Sequence, residues 1–297
     1  MDRRALLLGL VSAPLVAACR DEGSASAPPA ARTAVDGGQP PLPPGAVPHR
    51  SAHYLITSAA TPEDTAQAAQ ALERVRGHCL ALFGVPEPEA PAPLRVVLYR
   101  DRAQFKAHNR SHGWAEAYYL PPVCHAWLDD EPNRFHWLVH EATHQVAREV
   151  ARFPRKRWLD EGMAAYIGGS VPGTDAFAFG TADRHAYPTW WLHRHDWRGT
   201  LEEDRTAGFW TPLADLMDDR VAPGRGGDVN RVYVQYWALA HFLLHARDGA
   251  LRPGLHALLR EGGGSAAFER VVGPLASLEP AVHAHLLARV DEARRRG

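Results

Sequence analysis

The sequence has almost no net charge, few cysteines, and no motif for phosphate binding or for serine hydrolysis. Its 297 residues carry a formal net charge of −1, which supplies no basic face for a nucleic-acid partner. No glycine-rich phosphate loop, Ser–His–Asp signature or internal repeat stands out. What remains is an ordinary globular composition, with 45% hydrophobic and 23% charged residues, long enough to bury a sizeable core.

Residues 1–19 are typical of an export signal. Arg3 and Arg4 precede the apolar run 5–18, which is shorter than a transmembrane helix and suits the core of a signal peptide. The run ends in VAAC, which resembles the lipobox of bacterial lipoproteins and implies that Cys19 is acylated. A cleaved signal peptide without lipid and a retained membrane anchor are the alternatives. We expect an exported cell-envelope lipoprotein, attached through Cys19 on the periplasmic or the outer face of a bacterial membrane.

Residues 20–48 are rich in Ala, Pro, Gly and Ser and lack aromatics, so we expect a disordered tether. The folded domain then covers residues 49–297. Cys79 and Cys124 lie within it, and export permits a disulfide between them. Two separate buried thiols are the alternative, because a sequence does not show whether two Cα atoms approach each other.

The chain begins with strand patterns and continues with helical ones. HYLIT (53–57) and LRVVLY (94–99) are predicted strands, and residues 118–128 are expected to form a hairpin or irregular strands. Between the two strands, Thr61 followed by proline predicts a helix start, and Gly84 predicts its end.

Further helices are predicted over residues 134–150, capped by Asn133, over 158–167, and over most of the chain after residue 200. Strands followed by helices indicate an α+β domain, with a small N-terminal β-sheet and helices packed on a mostly helical C-terminal half.

Residues 140–144 read HEATH, the strongest chemical motif in the chain. Residues four apart project from nearly the same side of a helix, so His140 and His144 can bind one metal ion. Glu141 lies beside them, placed to take a proton from water that the metal activates. The chain has 17 histidines, which makes a chance match more frequent, so the motif alone is suggestive.

A second segment supplies a third ligand. WLDEGMAAYI places Glu161 seventeen residues after His144, and a helix end, a loop and a return helix fit this spacing. Three protein ligands leave a fourth position open, as a hydrolytic zinc site requires. Gly162 and two nearby alanines are small enough to let two helices pack closely.

Together these motifs resemble those of the gluzincin metallopeptidases, and more closely those of bacterial peptidase-MA-like proteins, which have HExxH followed by WLxEGxAxY. The resemblance covers about residues 50–290 and is strongest around the two motifs. It implies a thermolysin-like zincin core and one Zn²⁺ per chain, bound by His140, His144 and Glu161. It also implies Glu141 as general base and a peptide or protein substrate.

The resemblance further implies a tyrosine that stabilises the oxyanion, with Tyr233 as the candidate and Tyr236 as its rival. Packing is the alternative role for both. The chain departs from the pattern at Ala165, where some gluzincins carry an acid that orients a ligand histidine. The hydrogen-bond partner of the histidines is therefore unassigned, and Asp160 is a weak candidate.

The other histidines are interpreted as structural. His136 is expected to pack, because a fourth protein ligand would close the site. Four later histidines are expected at the surface: 241, 245, 283 and 285. Two other functions stay open beside the peptidase. One is a catalytically inactive zincin-fold binding or scaffold lipoprotein, and the other is a structural lipoprotein with an accidental motif. A further alternative keeps the hydrolytic chemistry but changes the substrate, for example to cell-wall peptide cross-links.

Overall fold

The computed structural model describes residues 38–111, 115–172, 177–221 and 228–296. Within these ranges the fold is α+β, with a five-stranded sheet in the N-terminal part and helices through the rest. Cys19 and the predicted signal peptide lie outside the described residues, so the lipid anchor stays a prediction.

The sheet is mixed, with antiparallel strands at both edges. Its strands are β1 (Val47–Arg50), β2 (Tyr54–Ser58), β3 (Leu94–Tyr99), β4 (Ala117–Leu120) and β5 (Val123–Trp127). Their spatial order is β1-β2-β3-β5-β4, and the three central strands are parallel. β4 pairs with β5 as an antiparallel hairpin and forms one edge of the sheet. The predicted hairpin is thereby confirmed.

Helix α1 (Pro62–Phe83) connects β2 to β3 and has the caps that the sequence predicts. The Thr61 side chain accepts a hydrogen bond from the backbone N–H of Asp64 at 3.1 Å. Gly84 ends the helix with φ at 65°, a left-handed conformation that glycine adopts at little cost.

Apolar clusters cover both faces of the sheet. The smaller one lies against α2 (Arg102–His108) and consists of Val97, Tyr99, Phe105, Tyr118 and Val123. The larger one joins the opposite face to α1 and to the later helices. Neighbouring residues of β3 divide between the two clusters, as expected for a strand whose side chains alternate.

The remaining elements are mostly helical. They are α3 (His136–Gln145), a π-helical turn (Val146–Val150), α4 (Arg157–Gly168), β6 (Ser170–Pro172), β7 (Phe177–Ala182), α5 (Leu201–Thr206), α6 (Leu213–Met217), α7 (Val229–His245), α8 (Arg252–Glu261), α9 (Ser265–Val271) and α10 (Leu275–Arg296). β6 and β7 form a separate two-stranded sheet. Helix α4 packs against both α3 and α7. In the described ranges, no helix combines the length and apolar character that crossing a membrane requires.

The folded part begins earlier than the sequence predicts. β1 starts at Val47, and the preceding residues, assigned to the tether, contact the sheet. The Gln39 side chain donates to the carbonyl oxygen of Leu120 at 3.0 Å and lies 2.8 Å from Nε2 of His125. A polar side chain thus fixes a segment whose composition suggested disorder.

The structure has no disulfide between Cys79 and Cys124, since both are buried free thiols. Sγ of Cys79 lies 4.0 Å from Oγ1 of Thr143, and the thiol of Cys124 donates to the carbonyl oxygen of Glu141 at 3.4 Å. Each thiol is therefore engaged with a different residue of α3. Burial raises the pKa of Cys79 to about 12, which keeps this thiol protonated.

Helix α3 begins two residues later than predicted, and Asn133 does not cap it. The amide of Asn133 instead donates to the carbonyl oxygen of Ser170 at 3.1 Å, a contact that links the residues before α3 to the start of β6. The carbonyl of Asn133 accepts hydrogen bonds from the backbone N–H of His136 and from its ring Nδ1, at 3.2 and 2.7 Å.

Candidate metal centre

All ten residues of α3 are buried, including the polar residues of the HEATH motif. His140 is 1% exposed, Glu141 is fully buried and His144 is 6% exposed. Burying so many ionisable groups is costly unless they are paired or bind a metal. The burial therefore points to a function for these side chains.

The structure brings together the three predicted ligands. Nε2 of His140 lies 3.3 Å from Nε2 of His144 and 3.4 Å from Oε2 of Glu161, and His144 lies 3.7 Å from the same oxygen. Zinc with ligand distances of about 2.0–2.1 Å places tetrahedral ligand atoms about 3.3–3.4 Å apart. Within the described ranges this buried trio is the one group of its kind that could hold a metal ion.

Two glycines let α4 carry Glu161 to this position. A Cβ at Gly168 would lie 2.9 Å from the carbonyl oxygen of His136 and 3.1 Å from Cβ of His140, so the end of α4 touches α3. A Cβ at Gly162 would lie 2.8 Å from the carbonyl oxygen of Tyr236. The predicted close contact at Gly162 is therefore made with α7, and the one with α3 is made at Gly168.

The electrostatics favour an ionised third ligand. Burial raises the pKa of Glu161, but the charge of His144 and hydrogen bonds from both histidines outweigh it and hold this pKa well below its usual range. Burial lowers the pKa of His144, and Glu161 reverses that effect and raises it. A carboxylate beside two imidazoles is a donor set suited to a divalent transition metal.

Glu141 lies beside the three ligands with its carboxylate oxygens in different surroundings. Oε2 accepts a hydrogen bond from the backbone N–H of Tyr119 in β4, at 2.9 Å. Oε1 is buried and has no hydrogen-bond partner in the described parts of the chain. Burial raises the pKa of Glu141, against the charges of His144 and His140. One oxygen is thus anchored, and the other is available to accept a proton.

The predicted oxyanion donor, Tyr233, lies in α7 within a group of aromatic rings. Its ring centroid is 5.4 Å from that of Tyr187 and 5.7 Å from that of Tyr236. The hydroxyls of Tyr187 and Tyr236 are buried without hydrogen-bond partners among the described residues. Burial is the main cause that raises the pKa of each tyrosine, and the negative charge of Glu161 raises both further. No signal in the sequence points to Tyr187, because no fixed spacing links it to either of the two metal-binding motifs.

Three other predicted roles can be compared with the structure. His136 packs as expected, through Asn133 and a tilted ring contact with Trp137. Asp160 forms an ion pair with Arg148 in the π-helical turn, so its partner there is an arginine, not a ligand histidine. The partner of Nδ1 of His140 remains unassigned within the described ranges.

Two histidines expected at the surface are buried. His241 bonds to His285 at 2.8 Å and to the carbonyl oxygen of Gly180 at 3.0 Å. His283 pairs with Asp204 at 2.7 Å. His241 is thus buried between α7 and α10, and His283 between α10 and α5. Helical periodicity does not show which helices pack on each other, so it does not predict these contacts.

No family model matches this chain, and no curated protein matches its sequence.

Proposed function

We propose that the protein is a zinc-dependent peptidase of the gluzincin type. The observation that carries the proposal is the buried trio His140, His144 and Glu161, whose donor atoms lie 3.3–3.7 Å apart, close to the spacing of a tetrahedral zinc site. Glu141 adjoins it with one carboxylate oxygen that has no hydrogen-bond partner among the described residues. Two ligand helices packed beside the edge of a sheet also support a thermolysin-like zincin core.

A zinc ion bound there would supply a Lewis acid that polarises a peptide carbonyl and acidifies water. Oε1 of Glu141 takes the proton of the attacking water and delivers it to the leaving amine, while Oε2 stays on the amide of Tyr119. Tyr233, with Tyr187 and Tyr236 as rivals, donates a hydrogen bond to the developing oxyanion.

An extended peptide has a docking edge beside this site. The N–H of Tyr119 points to Glu141 and so away from β5. In an antiparallel pair the backbone groups alternate, so the carbonyl of Tyr119 and both backbone groups of Ala117 face the open edge of β4. We propose that substrate pairs with this edge, which places its backbone alongside the metal centre.

The lipobox supports attachment to a bacterial membrane through Cys19, with the peptidase domain outside the cytoplasm. Metabolic labelling with a radioactive fatty acid tests this step. The intact chain should incorporate label, and Cys19→Ser should not; equal labelling of both proteins would refute the anchor.

Metal analysis tests the centre directly. After chelation and dialysis against zinc, the protein should retain about one ion per chain, as a site with three protein ligands and an open position requires. His144→Ala should lose it, while His136→Gln, a matched change one turn before His140 on the same helix, should keep it. A folded wild type that binds no zinc would refute the proposal.

Turnover separates the enzyme from an inactive scaffold. The zinc-loaded protein should cleave members of a fluorogenic peptide library, and Glu141→Gln should bind zinc normally but lose turnover by at least about 10²-fold. Full zinc occupancy without cleavage of any library peptide or protein substrate would favour the binding or scaffold function.

A further inference from the structure

The hydrogen bond that anchors Glu141 comes from outside the metal-binding motifs. Tyr119 lies 22 residues before Glu141, in β4, and its backbone N–H supplies the one partner that the structure gives to the carboxylate of Glu141 within the described ranges. The orientation of the proposed base therefore depends on the position of this strand relative to α3.

Two further contacts connect β4 to α3 by way of β5. Tyr119 stands opposite Cys124 in β5, and the thiol of Cys124 donates to the carbonyl oxygen of Glu141 at 3.4 Å. The hairpin thus meets the backbone of α3 at the same residue whose side chain it holds. None of these contacts uses the side chain of Tyr119, so a substitution at Tyr119 does not remove them directly.

The phenol of Tyr119 contacts the π-helical turn that follows α3. Its hydroxyl donates a hydrogen bond to Oε1 of Glu149, in the π-helical turn after α3. Burial and then Glu149 raise the pKa of Tyr119, so the phenol stays protonated and acts as the donor. Glu149 also lies 3.8 Å from the exposed Arg152. Hydrogen bonds to charged acceptors are stronger than neutral ones, so this contact can set the position of the strand.

We infer that Tyr119 is a positioning residue for Glu141: its backbone N–H fixes Oε2 of the base, and its phenol, held by Glu149, keeps that N–H in place. The inference rests on the proposed function, because the orientation of a general base matters only in an enzyme. Glu149 becomes part of the machinery without touching substrate or metal. π-helical turns often occur at functional sites, and this one carries the acceptor.

The contact itself can be tested without substrate. In the metal-free protein, hydrogen exchange measured by NMR should show the amide of Tyr119 protected, and Glu141→Ala should speed its exchange at least tenfold. The neighbouring amides of Tyr118 and Leu120, which face β5, should keep their protection. An unchanged Tyr119 amide in Glu141→Ala would overturn the inference, because the hydrogen bond would then be absent in solution.

The positioning role is tested with four variants. Glu149→Ala and Tyr119→Phe break the phenol contact, Glu149→Gln keeps an acceptor, and Tyr118→Phe removes a phenol from the opposite face of the same strand. In the first two we expect about a tenfold loss of kcat with KM and zinc affinity unchanged, and faster exchange at residue 119. Glu149→Gln should recover most of the kcat and most of the exchange protection at residue 119. Tyr118→Phe should match the wild type in both.

The outcomes separate this inference from the proposed function. Wild-type kcat in Glu149→Ala, or an equal loss in Glu149→Gln and Tyr118→Phe, would overturn the positioning role while leaving the peptidase intact. No turnover by the zinc-loaded wild type, with the amide of Tyr119 still protected, would instead refute the proposed function and reduce the contact to a structural one.

Discussion

Replacing Gly162 with alanine tests whether the contact of α4 with α7 sets the position of Glu161, the proposed third ligand. Gly162 follows Glu161 directly and lies inside α4. A Cβ there would be 2.8 Å from the carbonyl oxygen of Tyr236 and 3.4 Å from Cβ of Ala240. The closer atom belongs to the backbone, so rotating a side chain cannot relieve the overlap, and the two helices must separate.

Gly77 provides the matched control for the magnitude. It also lies inside a helix, α1, but an added Cβ would meet no atom within 4 Å. Replacing glycine by alanine within a helix stabilises a protein by up to about 1 kcal/mol through backbone propensity. Both substitutions share that gain, while only Gly162→Ala pays for overpacking, at about 1–3 kcal/mol. The two variants should therefore differ by about 1–3 kcal/mol in their free energy of unfolding.

Urea titrations of the metal-free proteins, followed by tryptophan fluorescence, measure this difference. The displacement should also move Glu161 relative to the histidines, so Gly162→Ala should bind zinc about tenfold more weakly. Gly77→Ala should bind it like the wild type. Equal stability of the two variants would refute the helix contact, and lower stability with unchanged zinc affinity would refute its link to the ligand.

Two further predictions concern groups away from the metal. Burial, helped by Arg95, lowers the pKa of His125 to about 3, whereas an unfolded chain titrates near 6.5, so the unfolded state binds the proton first. The corresponding stability is present above pH 6.5 and is lost as the pH falls towards 3. In urea titrations between pH 6 and 4, the free energy of unfolding of the wild type should fall by about 1.4 kcal/mol per pH unit more than that of His125→Gln. The same pH dependence in both proteins would contradict this assignment. In a Cys19→Ser background, the buried Cys79 and Cys124 should resist a thiol reagent in the native protein and react in urea; rapid native reaction, or a thiol count of zero in urea, would contradict two buried free thiols.

The sequence predicted those features whose signals are local. Thr61 and Gly84 bound α1 because a cap acts through the first and last turns of its own helix. The close approach of His140 and His144 was predictable from helical geometry, since four residues are slightly more than one turn. The runs at 53–57 and 94–99 predict β2 and β3, but β1 is missed because it begins in the predicted tether, and the pairing of β3 with both β2 and β5 needed the structure.

The failures share a physical origin in contacts between distant segments. Asn133 has the chemistry of a cap, but its amide nitrogen donates to the carbonyl of Ser170, and its side-chain oxygen, the atom that would accept from the helix, has no partner among the described residues. Gln39 lies in a proline-rich stretch that composition assigns to disorder, yet His125 and Leu120 hold it on the sheet. Such partners are separated by 37 residues or more, and no periodicity encodes them.

The side chains of the candidate centre are positioned by three different parts of the fold, and this has a consequence for the proposed catalysis. The histidines are set by one helix, Glu161 by the packing of α4 on its neighbours, and the carboxylate of Glu141 by a strand. In the proposed enzyme, metal binding would depend on the first two, while proton transfer would depend also on the third. Changes in the β4–β5 hairpin or at Glu149 should therefore lower turnover while the metal stays bound, and changes at the α4–α7 contact should weaken metal binding first. A variant series that failed to separate these two effects would show that the centre behaves as one unit, with the strand and the helices moving together.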